Sequence, residues 1–293
     1  MTYYLGALGA LAALPDPEVG LSLTPERIGS SHQLLSGAKV RDTIGYSRQW
    51  QLSWTAITLA QYGLLEGFYY GFTGGGPYYF VDDEQTNLLP LNVSTGTDTT
   101  GATTGAVAGS NVALFSSTGA ATSWNSLGGP FPANGTLTLG HNLSTSVVAG
   151  NVISKLASAV PVVAGATYTA SVYVSTPAFT RAWVFVQWLN GSGAVVSTIT
   201  GNAVAVSTNA RTLIAGVAPA TAVTAQVGLQ VESANTTGSA QFLYSDGWQF
   251  EMNGAASSWQ PGIPVPLVTV ESLSRSTPLA GICDAQMTLV QVG

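Results

Sequence analysis

The chain has 293 residues, of which 46% are hydrophobic and only 8% are charged, and it carries a formal net charge of −6. So much apolar surface excludes disorder, and eight basic residues in so long a chain exclude a nucleic-acid partner, whose binding rests on neutralising phosphates. The polar surface must come from Ser, Thr, Asn, Gln and Gly, which suits antiparallel sheets and neutral partners, and the single Cys283 excludes an intrachain disulfide or a thiolate metal cluster.

In chain order, Gly6 to Leu14 (GALGALAAL) is apolar but lacks a basic n-region and runs into Pro15-Asp16-Pro17, so it does not read as a leader. No other segment approaches the ~20 apolar residues of a membrane span, and no membrane insertion is expected. Ala38–Thr55 alternates as a long strand that puts Tyr46, Arg48, Trp50, Leu52 and Trp54 on one face. A helix follows, with Thr58 as N-cap and Gln61 as its capping-box partner, and with Leu64, Leu65, Phe68 and Phe72 as the buried face. Gly74-Gly75-Gly76-Pro77 ends it, and Pro77–Val81 returns as a strand.

Composition then changes. Between 85 and 262 the charged residues are Asp98, Lys155, Arg181, Arg211, Glu232, Asp246 and Glu251, in a tract rich in Ser, Thr, Gly, Ala and Val. Strands are expected at Ala166–Thr176, Arg181–Leu189, Ala225–Glu232 and Gln241–Glu251, with a hairpin turn at Asn190–Gly193 and loops or weak edge strands over 94–123. From Leu267 the character of the first part returns, as two strands around a turn near Pro278–Gly281. The expected fold class is all-β with one short helix. Residues 1–84 plus 263–293 form one discontinuous domain, and 85–262 is a β-sandwich inserted into it.

Asn87-Leu88-Leu89-Pro90 opens the middle part, and Asp246-Gly247-Trp248-Gln249-Phe250-Glu251 with Ala255–Gly262 closes it. Tyr168–Val174 and Val186-Gln187-Trp188-Leu189 through Gly193 lie between them. The tract resembles carbohydrate-binding modules of the jelly-roll type over about residues 86–262, a likeness specific for fold and weak for ligand. The flanks carry Ser36-Gly37, Tyr46–Trp54, the helix and Gly75–Asp82 leading into Asn87, and they resemble the distal or minor tail proteins of long-tailed phages of actinobacteria. That resemblance implies a non-enzymatic virion protein at the tail tip. It would be a homo-oligomeric ring, a hexamer by family likeness, with tail-tube and hub proteins as neighbours and host cell-surface glycan as the outward partner. The flank aromatics Tyr3, Tyr4, Trp50, Trp54, Tyr69, Tyr70, Tyr78 and Tyr79 would divide between core and interface. The alternative is a secreted glycan-binding protein or the detached module of a glycanase.

Chemistry in the residues is sparse. His32 and His141 show no zinc spacing, no G-x-S-x-G is present, and Asp246 and Glu251 lie five apart, on opposite faces of a regular strand. Sugar binding needs aromatic faces and uncharged hydrogen-bonding groups. If the Val-rich faces of the central strands form the core, the opposite faces carry Tyr173, Trp183, Gln187, Gln226 and Gln230, with Trp124 as a loop candidate. The competing reading is ordinary: core tryptophans and sheet-surface glutamines. The module resemblance further implies that Asp246 helps hold a structural calcium with backbone carbonyls, against the plain reading of a solvated turn aspartate. No other cofactor is expected.

Overall fold

The computed structural model describes residues 2–18, 22–94, 102–105, 114–117, 139–144, 150–156, 159–175, 181–205, 210–233 and 241–292. In chain order the elements are β1 (Tyr3–Ala7), β2 (Ala10–Ala13), β3 (Ser22–Gln33), β4 (Lys39–Thr58), α1 (Leu59–Tyr69) and β5 (Tyr78–Asp82). A single helical turn, α2 (Leu91–Ser94), precedes β6 (Ala102–Gly105), β7 (Leu114–Ser117), β8 (Leu139–Ser144), β9 (Gly150–Leu156) and β10 (Val160–Pro161). There follow β11 (Thr167–Ser175), β12 (Arg181–Leu189), β13 (Val195–Thr200), β14 (Val204–Ala205), β15 (Ala210–Val217), β16 (Thr224–Ser233) and β17 (Gln241–Glu251). The chain finishes with β18 (Leu267–Leu279) and β19 (Ile282–Gln291). The fold is all-β with one short helix and one further helical turn. It divides into two compact units, Met1–Asp82 with Pro266–Gly293, and Asp83–Val265.

The first unit is a single antiparallel sheet in the order β2-β1-β5-β18-β19-β4-β3. The apolar Gly6–Leu14 stretch is its β1–β2 hairpin, and Gly6 is dictated by space: a Cβ there would lie 2.3 Å from the Ala10 carbonyl oxygen. Trp50, Leu52 and Trp54 are buried on one face of β4, as the alternation requires, together with Leu5, Phe80 and Met287. Tyr46, assigned to the same face, is exposed, because β4 before Gln49 pairs only with β3 and its ring meets only the cross-strand Arg27 guanidinium, 5.6 Å from the centroid, rather than a covering layer. Of the flank aromatics Tyr3, Trp50, Trp54 and Tyr78 are core, while Tyr69 and Tyr70 are exposed.

Helix α1 starts as its sequence dictates. The Thr58 hydroxyl accepts from the Gln61 N–H at 3.2 Å, and the Gln61 side chain accepts from the Thr58 N–H at 2.9 Å. Tyr62, Leu65 and Phe68 are buried. Phe72 is not part of that face: the helix ends at Tyr69, Gly71 turns to φ +75°, and Phe72 lies beyond it, 83% exposed. Burial, and after it the Glu66 carboxylate, pushes the Tyr62 phenol above its ordinary value, against the pull of Arg275, whose guanidinium lies 4.9 Å from the ring centroid.

The second unit is a β-sandwich. One sheet runs β13-β12-β16-β9-β6, with β10 on β16 and β14 on β12; the other runs β15-β11-β17-β8-β7. Inward residues alternate with outward ones along each strand. Ala182, Val184, Val186 and Trp188 of β12 and Val227 and Leu229 of β16 face Tyr168, Val172, Trp248 and Phe250 of the other sheet in one core. The Thr- and Gly-rich stretch after α2 contributes β6 and β7, each the last strand of its sheet.

Candidate functional site

On β12 the alternation that sends Val184, Val186 and Trp188 inward sends Trp183, Phe185 and Gln187 outward. The antiparallel register sets Trp183 opposite Gln230, Phe185 opposite Gly228 and Gln187 opposite Gln226. Four of the residues singled out by sequence therefore share one face of one sheet. Phe185 stands at its centre, opposite Gly228, and is only 1% exposed. Trp183, Gln187, Gln226 and Gln230 are half-buried around it. The Gln187 Oε1 atom is buried and has no protein hydrogen-bond donor.

The Asn190–Gly193 turn extends this face. The Asn190 carboxamide oxygen accepts from the Ser192 and Ala194 N–H groups at 3.0 and 2.9 Å, and Gly193 takes φ +78°. The hairpin sets Gln187 opposite Thr198 and Phe185 opposite Thr200, both exposed. These two threonines were not among the residues chosen from the sequence. The signal for them was present: a tight turn after Leu189 fixes the register of β13, and with it which hydroxyls border the face.

Tyr173 belongs elsewhere. It points outward from β11, but β11 is in the other sheet, so Tyr173 lies on the opposite side of the sandwich. Alternation separates inside from outside and cannot say which sheet a strand joins. Its ring lies 5.3 Å from the Arg211 guanidinium carbon, and Arg211 donates to the Ser257 carbonyl at 2.7 Å and to the Ser171 hydroxyl at 2.8 Å. Around it this outer face is closed by the segment that follows β17. Gln249 donates to Glu251 at 2.9 Å and to the Ser257 hydroxyl at 2.7 Å; Glu251 accepts from the Ser257 N–H at 2.9 Å; Thr169 donates to the Asn253 carbonyl at 2.7 Å. Thr169, Ser171, Gln249 and Glu251 are all buried, and the β11–β17 register makes them cross-strand neighbours. Asn87 completes the closure. It donates to the carbonyls of Trp248 and Gln260, each at 2.9 Å, and accepts from the N–H groups of Leu89 and Phe250, each at 3.2 Å. Both motifs that frame this unit in the sequence thus hold the sandwich shut. Glu251, bonded on one oxygen to an amide and a backbone N–H and buried, is placed as a structural carboxylate.

Asp246 stands on β17 opposite Tyr173, at a register irregularity next to Gly247, which takes φ +60°. Its side chain, and all of Trp124, lie outside the described residues. Among the described residues no group of three or more His, Cys, Asp or Glu side chains gathers around a common point. Ser30, His32 and Asp42 approach each other without forming a catalytic relay, because both contacts, at 2.8 and 3.4 Å, use the same imidazole Nε2. A proton relay needs both ring nitrogens.

No protein-family model matches the chain, and no curated protein matches it. Among solved structures it is similar to the enzymatically active domain of bacteriophage CBA120 tailspike protein 4, at 12% identity over 57% of this chain and 22% of that one, with a TM-score of 0.39. It is also similar to the CBM22-1 xylan-binding domain from Paenibacillus barcinonensis Xyn10C, at 14% identity over 59% of this chain and 99% of that one, with a TM-score of 0.36. A CBM4 structure matches at 19% identity over 43% and 89%, with a TM-score of 0.30. The first of these is a far longer chain, of which this one spans about a fifth. Superpositions this loose carry no functional argument.

Proposed function

We propose that the chain is a non-enzymatic structural protein of a phage tail tip. Its discontinuous unit assembles with copies of itself, and with tail-tube and hub proteins, while its sandwich unit meets neutral glycan on the host surface. The observation that carries the glycan part is the β12–β16 face. It joins a half-buried tryptophan, three glutamines and two border threonines, and an amide oxygen there lacks a protein donor. Sugars offer apolar ring faces to stack on an indole and hydroxyls to pair with carboxamides, and this face supplies both without charge. The tail-tip part is supported by the order of motifs in the flanking sequence. A secreted glycan-binding protein is the second reading, favoured by the same face and indifferent to the first unit.

A glycan array probed with the full chain, followed by calorimetric titration of the best neutral oligosaccharide, tests the glycan part. Affinity lowered roughly tenfold in Trp183→Ala and unchanged in Tyr173→Phe is the expected result. Wild-type protein that binds no glycan ends this reading of the face. Immunogold labelling of virions from the source phage separates tail tip from secreted protein. A calcium ion at Asp246 is a further part of the proposal, resting on the break in the β11–β17 ladder beside it. Chelation should lower the unfolding temperature and added calcium restore it; no change removes the ion.

A further inference from the structure

The geometry points to a second copy of this chain as the partner of the β3–β4 arm, with the arm's leucine tip seated in an aromatic cavity of the neighbouring copy's first unit. This rests on the self-association in the function proposed above and names the contact that makes it. The third strand β19 pairs with β4 no earlier than Gln49, and the Ser47 hydroxyl donates to the Gln291 carbonyl at 3.3 Å, so from Arg27 to Tyr46 the two strands pair only with each other. A two-stranded ribbon of that kind is marginal in water without a third strand or a covering layer. Every residue of β3 is exposed, and so are Val40 and Tyr46 on β4. The tip Leu34–Ala38 closes with the Leu34 N–H donating to the Ala38 carbonyl at 2.8 Å, and it thrusts out Leu34 and Leu35, the latter 111% exposed.

Charge says what the arm should meet. Residues 22–48 hold four of the eight basic residues, Arg27, Lys39, Arg41 and Arg48, against Glu26 and Asp42. The rest of the first unit holds Asp16, Glu18, Glu66, Asp82, Glu271 and Asp284 against Arg275 alone. A basic arm on an acidic body attracts another copy by the complementary part, which is a head-to-tail contact and makes rings or filaments. The receiving feature is a cavity of about 260 Å³ where α1 ends against β18, lined by Tyr69, Tyr70, Gly71, Tyr78 and Val270. Its lining is uncharged and its outer aromatics, Tyr69 and Tyr70, are exposed. The groove is open and carries both polar and aromatic surface; Glu66 stands one turn back on α1, its carboxylate engaged with Tyr62, and Glu271 follows Val270 on β18, so each element that lines the groove carries an acidic residue close to it in sequence.

The test uses full-length protein and sedimentation velocity at low and high salt. Wild type should assemble at low salt and dissociate as salt rises. Leu35→Asp, whose residue is outside both cores, should keep the wild-type circular dichroism and thermal unfolding while weakening assembly at least roughly tenfold, since it forfeits the burial of a leucine. Tyr70→Glu should do the same from the other side. Mixed one to one, the two variants should form dimers that neither forms alone, because each retains the half the other lacks. If Leu35→Asp and Arg27→Glu assemble like wild type, the arm is not the contact although self-association stands. If wild type is monomeric at every salt concentration, self-association itself fails and the inference falls with it.

Discussion

The two outer faces of the sandwich arise from the same strand alternation and end in opposite states. On the β11–β17 side Thr169, Ser171, Gln249 and Glu251 are buried beneath the chain's own exit segment, and the amide and carboxylate groups of Gln249 and Glu251 find partners there; Arg211 keeps only its Nε without one. On the β12–β16 side Trp183 and three glutamines surround a buried phenylalanine, and one glutamine oxygen is left unmatched by the protein. The difference teaches how to read buried polarity. Polar groups whose partners lie in the same chain serve closure; unmatched atoms occur in the core as well, at the Trp188 indole nitrogen, so the unmatched oxygen of Gln187 points to an outside molecule only because its side chain stands on an outer face.

The largest effect belongs to the closed side. Asn87→Ala would remove the partner of the buried Trp248 carbonyl, of the part-buried Gln260 carbonyl and of the buried Leu89 and Phe250 N–H groups, at about 1–3 kcal/mol for each buried group left unpaired. Partial relaxation should bring the net loss to about 3 kcal/mol, read as a lower urea midpoint in the tryptophan fluorescence of the sandwich. Glu251→Ala removes one acceptor shared by Gln249 and the Ser257 N–H, and should cost about 2 kcal/mol in the same experiment. A midpoint unchanged in both would mean that the exit segment does not hold that face, and the contrast between the two sides would collapse.

Much of this architecture could be read from residues alone, and what could not has physical causes. The capping box at Thr58 and Gln61 and the inward set Val184, Val186 and Trp188 are local signals, written in a few adjacent residues, and the structure agrees with them. Helical spacing continues through Phe72, past the point where Gly71 ends the helix, so spacing alone places Phe72 wrongly. Alternation continues along a strand even where no layer covers it, so it assigns Tyr46 to a buried face that is open there. Alternation also puts Tyr173 with Trp183, because sheet membership is set by long-range pairing, to which a period of two is blind. The motif ending in Gln249 and Glu251 was legible as a marker of fold, but its work of clamping Ser257 depends on where a loop folds back.

On the half-covered side the expected losses move from stability to binding. Trp183→Ala removes a side chain that lies outside the sandwich core, so the unfolding midpoint should move by less than about 1 kcal/mol. Affinity for a bound neutral oligosaccharide should fall roughly tenfold, the worth of about 1.4 kcal/mol of stacking. A large stability loss with binding intact would make Trp183 an ordinary packing residue and bring the two faces back to one kind.

The smallest change is the most discriminating. Gln187→Met keeps the length of the side chain and deletes the carboxamide whose oxygen is buried without a protein donor. If that oxygen awaits an outside hydroxyl, its removal relieves an uncompensated desolvation, and the protein should be as stable as wild type or more so by up to about 1 kcal/mol. Oligosaccharide affinity should drop severalfold in the same variant, because the acceptor is gone when the sugar arrives. The opposite signs are the point: a group kept for closure loses stability when it is deleted, as Glu251 should, whereas a group kept for a ligand loses only the ligand. Thermal unfolding and titration calorimetry on the one variant decide between them, and a destabilised Gln187→Met that still binds would assign this glutamine to the scaffold.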